Sequence, residues 1–499
     1  MRMTARTVVQ TTVVAIFAAF LAVILGVTQA MTTAITAAIG LSAVQAIIVP
    51  GTGTQHPAQV PNYLDNAVGH YLVPGGNCGA ATCDPVSGVE YDAQFWPIPL
   101  PGWGGLQGAK WNVSVQSGVD GLNEQLAAVP PGQPVAIFGY SQGATVVSLV
   151  KTSMSNVDPA DMTFFFIGNP QRPDGGFFER FAALGTVPIL DATFGRPSTI
   201  DDCTSTCATD FALQYDGVVD FPEWILNPLA VANAAAGFIY VHGTYLAPDG
   251  TDPPTATPYG YSVEEVQHYI EVANAPGGCT AANYCQSHGD TNYITLPARY
   301  LPIYQPFIDL AAATGTSFVV IPLVDLVSPA TQTLIETAYT RDDYSKPSPV
   351  TLLPHFNPIT VAGDLIKDVP EGIEMALEPG RTPLPGSPPL PDTTATDPTT
   401  TTDPTTTTVT VATTNQDVAE TPKPFDGKPL TRLSLIATPN GGIVLPGANG
   451  ATNRPLRDAL GDFHPVRDVV KAISGTVDKV LGGQSAKDNQ TAAATNSAN

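Results

Sequence analysis

The chain has 499 residues and a formal net charge of −23, with 43% hydrophobic and 13% charged residues. It is too long for one ordinary domain, so we expect one large folded unit together with segments that do not pack. A surface this acidic repels phosphate backbones, which argues against nucleic acid as a partner. The same charge disfavours electrostatic docking on anionic lipid, although not an apolar contact with lipid. The sequence suggests neither a metal nor an organic cofactor.

The N-terminus has the pattern of an export signal. Two arginines precede an apolar run, Val8 to Val27, and the small residues that end at Ala30 suit cleavage after that residue. The run is also just long enough to span a bilayer, so residues 1–30 are either a cleaved signal peptide or an uncleaved anchor. In both cases we expect an exported protein, secreted or anchored to the outer face of the cytoplasmic membrane or the cell wall. The anchor would associate it with the membrane.

Six cysteines fall into three close pairs in polar, loop-like stretches: Cys78 with Cys83, Cys203 with Cys207, and Cys279 with Cys285. Six cysteines allow fifteen connectivities, among which local pairing is the simplest. Zinc is the alternative, but a C-x2-C arrangement with histidines at fixed spacing is not present. We therefore predict disulfides.

Apolar strands alternate with helical patterns between residues 45 and 350. The predicted strands include 45–49, 134–138 and 163–167, and the predicted helices include 115–128 and 144–155. Short runs rich in Val, Ile and Phe are typical of strands buried on both faces of a parallel sheet. The alternation predicts an α/β fold, with a doubly wound, mostly parallel sheet in one domain over residues 45–350.

The composition changes after this domain. Proline recurs every two or three residues from Leu377 to Pro391, and Asp-Pro-Thr-Thr-Thr-Thr at 397–402 is repeated at 403–408. Such a segment cannot bury enough apolar surface to fold. We predict a disordered Pro/Thr-rich linker over residues 377–420, shaped as an extended stalk, and a tail of low order over residues 421–499.

A G-x-S-x-G motif, Gly139-Tyr140-Ser141-Gln142-Gly143, stands between a predicted buried strand and a predicted helix. In this context the motif forms a tight turn that exposes the serine hydroxyl at the carboxyl edge of the sheet. The helix N-terminus then directs free N–H groups towards developing negative charge. The motif predicts that Ser141 is a nucleophile, and the alternative is a glycine-flanked turn with a bystander serine.

In such a fold an acid and then a histidine follow the nucleophile along the chain. Five histidines follow Ser141: His242, His268, His288, His355 and His464. His242 follows an apolar run and precedes a glycine, a loop position from which a general base can reach the serine. His268 is expected on a helix surface and His288 in a loop. Asp216 and its close competitor Asp220 are the candidate acids, because either can orient the imidazole, although both also suit turns.

An oxyanion hole needs two N–H donors. The first candidate is the N–H of Gln142, directly after the nucleophile. The second is Thr52, in the Gly/Thr loop that follows the first strand, for which a simple glycine turn is the alternative. Residues 246–291, rich in Pro, Gly and Tyr, are a hypothetical lid.

Five stretches of the chain resemble a known family: AIIVPGTGTQHP, FGYSQGA, GNPQRPDGGFFERF, QYDGVVDFPEWILNPLAVANAAAGFIYVHGTY and NYITLPARYLPIYQPFIDL. From about residue 45 to residue 345 the chain resembles the PE-PPE domain family of mycobacteria and related actinobacteria, which is similar to cutinases and lipases. The apolar export segment stands where that family has a helical PE or PPE module. The resemblance does not cover the tail after residue 350.

The resemblance implies an α/β-hydrolase with Ser141 as nucleophile, Asp216 as acid and His242 as base. Comparison with cutinases places Thr52 and Gln142 at the oxyanion hole. Members of the family act on carboxylic esters, and some transfer acyl groups in envelope lipid assembly. We therefore predict an exported serine esterase or lipase that cleaves a lipid or small acyl ester through an acyl-serine. The alternatives are an acyltransferase with the same triad and a catalytically inactive, wall-associated binding protein.

Overall fold

The computed structural model describes residues 43–79 and 82–390. These residues form a seven-stranded sheet, packed on both faces, and a separate two-stranded ribbon. The predicted export segment, most of the Pro/Thr-rich linker, the tail and His464 lie outside the described residues.

Nine strands are present in the described part of the chain. They are Gln45–Val49 (β1), Val86–Gly88 (β2), Val135–Tyr140 (β3), Met162–Ile167 (β4), Thr186–Val187 (β5), Ala192–Thr193 (β6), Ala208–Leu213 (β7), Cys285–His288 (β8) and Thr291–Leu296 (β9). The main sheet has the order β2-β1-β3-β4-β7-β9-β8. All its neighbours are parallel except β8 and β9, and β5 pairs with β6 as an antiparallel ribbon. This topology confirms the predicted α/β fold with a doubly wound, mostly parallel sheet.

Helices connect and cover these strands. The α-helices are Tyr63–Ala67 (α1), Trp111–Ala127 (α2), Gln142–Thr152 (α3), Phe177–Arg180 (α4), Pro228–Tyr240 (α5), Val263–Asn274 (α6), Gln305–Thr314 (α7), Ser317–Glu336 (α8) and Pro358–Leu377 (α9). A π-helical segment, Val68–Leu72, continues α1. The 3-10 turns are Pro57–Gln59, Gly105–Gln107, Ala182–Leu184, His242–Thr244, Ala281–Asn283 and Pro302–Tyr304.

The central strands are apolar on both sides because each separates two hydrophobic cores. In β1, Ala46 and Ile48 face one core while Ile47 and Val49 face the other, and all four are 0% exposed. Successive side chains of a strand point to opposite faces, so a strand covered on both faces reads as a continuous apolar run. The strands therefore form a rigid, dehydrated base for the loops at their ends.

The order of the strands fixes where those loops meet. From β1 the chain passes to β2 on one side and then returns to β3 on the other side. The carboxyl ends of β1 and β3 therefore flank a topological switch point, where open α/β sheets place their binding crevices. The loop after β1 carries Thr52, and the turn after β3 carries Ser141.

The cysteines are disulfide-bonded as predicted. Cys78 pairs with Cys83, Cys203 with Cys207, and Cys279 with Cys285. Cys203, Cys207 and Asp290 are close enough to resemble a metal-ligand set. The two thiols are oxidised, however, and the Asp290 carboxylate accepts hydrogen bonds from the buried Lys151 ammonium at 2.9 and 3.1 Å. These groups therefore tie a loop to the sheet.

The packed chain continues past residue 350, the end of the domain expected from the sequence. Leu384 is 3% exposed and joins a core cluster, and the buried guanidinium of Arg299 donates a hydrogen bond of 3.0 Å to the carbonyl oxygen of Pro388. Prolines lack an N–H, but their carbonyl oxygens still accept hydrogen bonds. A proline-rich segment can therefore accept the hydrogen bonds that a buried cation donates. Residues 378–390, assigned to the linker from their composition, belong to the folded unit.

The hypothetical lid, residues 246–291, is largely built into the fold. It contains α6, whose Ile270 is 0% exposed, and the edge strand β8. His288 ends this strand instead of lying in a loop. The strand was missed because its sequence, Cys-Gln-Ser-His, lacks an apolar run, as is common at a sheet edge. The part from residue 263 onwards therefore cannot open without disrupting the sheet.

Candidate active site

Ser141 occupies the turn between β3 and α3, with φ 55° and ψ −118°. Non-glycine residues rarely adopt such a backbone, and the strain is that of a nucleophile elbow. A Cβ added at Gly139 would lie 2.8 Å from the Ala144 Cα, and one at Gly143 would lie 2.2 Å from the Val49 carbonyl oxygen. Both glycines of the motif are therefore needed for the close approach of helix and strands.

The side chains of Ser141, His242 and Asp216 form a continuous hydrogen-bonded chain. His242 Nε2 lies 2.8 Å from Ser141 Oγ, and His242 Nδ1 lies 2.8 Å from Asp216 Oδ2. His242 begins a 3-10 turn just after α5, and Asp216 follows β7 at the carboxyl edge of the sheet. The histidine is 7% exposed and the aspartate is 0% exposed. The structure thus brings together the three residues singled out from the sequence.

Further donors hold the Asp216 carboxylate in place. The Val218 N–H and the Tyr245 hydroxyl each donate to it at 2.9 Å. The Tyr245 oxygen in turn accepts the Leu213 N–H at 3.0 Å. Burial raises the pKa of Tyr245 well above its ordinary value, so the hydroxyl keeps its proton as a donor. Tyr245 was not assigned to the site from the sequence, although its spacing three residues after His242 was an available signal.

Asp220, the competing acid, faces away from His242. Its carboxylate forms a two-point ion pair with Arg341, at 2.8 and 2.9 Å, and accepts the Tyr215 N–H at 2.8 Å. Burial alone would raise the pKa of Asp220, but the Arg341 charge and hydrogen bonds lower it below its ordinary value. The carboxylate is therefore committed to holding the loop that carries Asp216.

The two candidate oxyanion donors lie on either side of the switch point. Gln142 is the first residue of α3, and its N–H has no partner among the residues the structure describes. Its side chain is buried, accepting from Ser114 Oγ at 2.8 Å and donating to the Gln94 carbonyl at 3.0 Å. Only its backbone is therefore available to a ligand. Gly51, the residue before Thr52, is adjacent to Ser141, because a Cβ added at Gly51 would lie 3.2 Å from the serine Cβ.

Gly168 and Tyr140 shape the space around the histidine and were not predicted as site residues. A Cβ at Gly168 would lie 2.8 Å from His242 Cε1, so only glycine leaves room for the ring. The Tyr140 hydroxyl donates a hydrogen bond to the His242 carbonyl oxygen. The signals in the sequence were a glycine directly after β4 and an aromatic residue inside the elbow motif.

Gly168→Ala is expected to lower kcat about tenfold to a hundredfold, because the added methyl group displaces the His242 ring from Ser141. Gly185→Ala is the matched control, since Gly185 has nearly the same positive φ, 56° against 55°, but no atom within 4 Å of an added Cβ. Both positions have a positive φ, so each alanine also adds backbone strain, roughly 1–3 kcal/mol. Steady-state kinetics and thermal unfolding of both variants test this, and equal kcat values would contradict it.

Two aromatic rings border the site. Phe238 stacks on the His242 ring with centroids 5.9 Å apart, and Trp103 meets Phe238 edge-on at 6.3 Å. Trp103 also contacts the loop after β1, since a Cβ at Gly53 would lie 3.3 Å from its ring. The two rings therefore bridge the histidine and the Thr52 loop, and form an apolar wall beside His242.

The other described histidines after Ser141 lie away from it. His268 is exposed on α6, as expected from the sequence. His288 packs near the Tyr344 ring in β8, and His355 is exposed, with Nδ1 3.6 Å from Glu223. None of these three histidines therefore competes with His242.

A serine at a strand-to-helix elbow, linked to a histidine and a buried aspartate on a mostly parallel sheet, defines the α/β-hydrolase class. Within this class the chain belongs to the PE-PPE domain family, whose model matches residues 84–340.

Two relatives from Mycobacterium tuberculosis (strain ATCC 25618 / H37Rv) illustrate the family. Esterase PE16 is 32% identical over 334 residues, which are 65% of this chain and 54% of the relative. Diacyltrehalose acyltransferase Chp2 is 27% identical over 295 residues, 56% of this chain and 73% of the relative. The chain spans about half the length of the first relatives that it matches.

Among solved structures, a cutinase-like protein from Cryptococcus sp. is 17% identical, with a TM-score of 0.22, over 36% of this chain and 79% of that protein.

Proposed function

We propose that this protein is a serine esterase that cleaves acyl esters through an acyl-serine intermediate on Ser141. The observation that carries the proposal is the hydrogen-bonded chain from Asp216 through His242 to the elbow serine. A histidine within 2.8 Å of a serine hydroxyl can take its proton, provided that the other ring nitrogen keeps its own. The buried Asp216 favours that tautomer by accepting the Nδ1–H.

In the proposed cycle, Ser141 attacks the ester carbonyl while His242 accepts the serine proton. The N–H groups of Gln142 and Thr52 hold the oxyanion, and the alcohol leaves with the proton from His242. Water then attacks the acyl-serine with the same histidine as base, which releases the acid and restores the hydroxyl. All the groups named for both halves of this cycle lie within the described residues.

The names of the relatives support an acyl-transfer chemistry of this kind, since one is an esterase and one an acyltransferase. Transfer differs from hydrolysis only in the acceptor, which would be the hydroxyl of a sugar or lipid in place of water. We therefore propose acyl transfer as the second candidate. The inactive, wall-associated binding protein is disfavoured, because a site without chemistry has no need of a strained serine aligned with a buried histidine.

We also propose that the protein works outside the cytoplasm, in association with the cell envelope. The three disulfides support this proposal, because such bonds persist in oxidising compartments. The pattern of residues 1–30 supplies a route of export.

A fluorophosphonate probe and p-nitrophenyl esters of graded chain length test the proposed function. We expect one covalent adduct, located on Ser141 by mass spectrometry, and hydrolysis that the adduct abolishes. Products formed with water and a sugar alcohol in competition then distinguish hydrolysis from transfer. If Ser141 remains unlabelled in folded protein, the proposal fails.

Phe238→Ala is expected to raise the preference for long acyl chains, because it removes half of the aromatic wall beside His242. The ratio of kcat/KM for a decanoyl ester to that for a butyryl ester should rise about tenfold, equivalent to about 1.4 kcal/mol of pocket contact. Phe356→Ala is the control, since Phe356 packs on Trp224 instead. An unchanged ratio in Phe238→Ala would place the acyl chain elsewhere.

A further inference from the structure

The helical hairpin of α7 and α8 carries an unusual number of exposed apolar side chains. These define what we call the apolar helix face: Phe307, Leu310, Phe318, Val319, Leu323, Leu326, Val327 and Leu334. Phe318 is 79% exposed, and Leu310 and Leu323 are 58% and 56% exposed. Large contiguous apolar patches on a protein surface mark contacts with other apolar matter.

The hairpin also carries few ionisable residues, although the protein is strongly acidic. Between Gln305 and Ile335 the only ionisable residues are Asp309 and Asp325. Asp325 is 1% exposed and accepts the Thr382 N–H at 3.1 Å, and Asp309 accepts from the Gln305 amide at 2.8 Å. Burial raises the pKa of both carboxyls to about 6. This stretch of the hairpin thus contributes only two carboxyl groups to a protein of net charge −23, one of them buried and both hydrogen-bonded, which suits contact with an uncharged lipid surface.

The hairpin is joined to the helix that positions the catalytic histidine. The Ile303 N–H, just before α7, donates to Asn233 of α5 at 3.1 Å. At the other end of α5, the Asn227 amide donates to the Leu334 carbonyl of α8 at 2.8 Å. Ile239, three residues before His242, is itself 48% exposed. The hairpin therefore packs along α5, the helix that ends just before His242.

The helix α8 is long and apolar enough to cross a membrane, by length and composition alone, but 39% of its apolar window is buried inside the fold. It buries Asp325 and Ser328 against its neighbours, so it lies on the domain with one side exposed. A helix with this division of sides is suited to lie in a lipid interface.

The stretch that directly follows the described residues is a poor candidate to cover the face. The described residues end at residue 390, and the next forty or so residues are dominated by Thr, Pro and Asp, which offer little apolar surface. The first described strand, β1, begins at the amino edge of the sheet. The hairpin follows the carboxyl end of β9, at the edge that carries Ser141.

We propose that the apolar helix face docks the protein on a lipid surface with uncharged or zwitterionic headgroups. The surface is thereby brought to the carboxyl edge of the sheet, where an ester-bearing lipid can reach the serine. Docking itself requires no catalysis, whereas the delivery of an ester rests on the proposed function.

The test places an environment-sensitive fluorophore on the face of the full-length chain. All six native cysteines are paired, so Phe318→Cys provides one reactive thiol for a nitrobenzoxadiazole label. Ile189→Cys, on the loop between β5 and β6 and 66% exposed, is the matched control. Each labelled protein is mixed with phosphatidylcholine vesicles, with and without a doxyl-labelled lipid as quencher, and with vesicles containing phosphatidylglycerol.

We expect the emission of the label at residue 318 to shift to the blue on phosphatidylcholine vesicles and to be quenched by the doxyl lipid. The emission of the label at residue 189 should remain that of a label in water. A label at 318 that stays aqueous on protein bound to vesicles would overturn the proposal. A blue shift without lipid that grows with protein concentration would assign the face to a second copy. A blue shift without lipid at every concentration would assign it to the chain's own apolar run.

Kinetics separate docking from catalysis. Phe318→Asp with Leu323→Asp should lower hydrolysis of an ester dispersed in phosphatidylcholine vesicles at least tenfold, and leave hydrolysis of a monodisperse p-nitrophenyl ester unchanged. An equal loss on both substrates would show a structural role for the two residues and count against docking. The fluorescence result holds even if neither ester is cleaved, so the proposed function and the docking surface can fail independently.

Discussion

Ser141→Ala is expected to reduce kcat for p-nitrophenyl ester hydrolysis by about a millionfold, equivalent to about 8 kcal/mol of transition-state stabilisation. The variant loses the oxygen that forms the acyl intermediate, and His242 is left without a partner for its Nε2. A residual rate about a thousandfold above that in water is expected, because the oxyanion donors and the binding surface remain.

Ser153→Ala is the matched control for this change. Ser153 lies at the other end of α3, where its hydroxyl donates only to the Val150 carbonyl, so its loss should leave kcat unchanged. Thermal unfolding and fluorophosphonate labelling of both variants establish that the fold is intact and that the label follows Ser141. Equal rates in the two variants would remove Ser141 from the mechanism.

Local rules explain why the sequence singled out Ser141 and the turn that holds it. The steric demands of an elbow fall on residues within two positions of the serine, and Gly139 and Gly143 meet those demands in the structure. The apolar runs of β1, β3 and β4 likewise predicted a sheet covered on both faces, because burial alone determines their composition. Patterns of this kind need no knowledge of distant contacts.

Residues that act through distant contacts were harder to find. Gly168 serves His242, 74 positions away, and nothing in the local sequence states that a methyl group there would meet the ring. The sequence could not decide between Asp216 and Asp220 as the acid for the same reason. The two lie four residues apart around the Gly217 turn, in similar local surroundings. The two differ in the side chain that each contacts in the folded protein: Asp216 contacts His242, whereas Asp220 contacts Arg341.

The limits of the domain were misjudged for a chemical reason. A stretch rich in proline looks unable to fold when it is considered alone, because it lacks donors for regular hydrogen bonding. Residues 378–390 pack nonetheless, since Arg299 needs acceptors and the core accepts Leu384. Composition therefore showed where the proline-rich stretch begins, but not which residue is the last to pack against the fold.

Asp216→Asn is expected to lower kcat about ten-thousandfold with little loss of stability. The Asp216 carboxylate accepts from His242 Nδ1, the Tyr245 hydroxyl and the Val218 N–H, so the site offers it only donors. An amide there presents its own NH₂ to one of them and favours the tautomer in which Nδ1 is an acceptor. His242 Nε2 would then carry a proton and could not take another from Ser141.

Asp220→Asn is the companion variant, with the opposite expected outcome. It breaks the two-point ion pair and leaves Arg341 with an incomplete set of acceptors, which should cost about 3–5 kcal/mol of unfolding free energy. The kcat of the folded protein should change only a few-fold. The pKa of Asp220 is lowered in the folded state, so its contribution is present above the unfolded value near ~4 and is lost as the pH falls towards the folded value.

Denaturant unfolding between pH 3 and pH 7, together with kcat at neutral pH, distinguishes the two aspartates. The stability difference between the wild-type protein and Asp220→Asn should shrink as the pH falls, whereas Asp216→Asn should show its defect in turnover. If Asp220→Asn instead lost turnover while Asp216→Asn kept it, the acid would be Asp220, and the contact between Asp216 and His242 would not be the one used in catalysis. Because Asp220 holds the Tyr215 N–H next to Asp216, a small loss of kcat in Asp220→Asn is consistent with a positioning role.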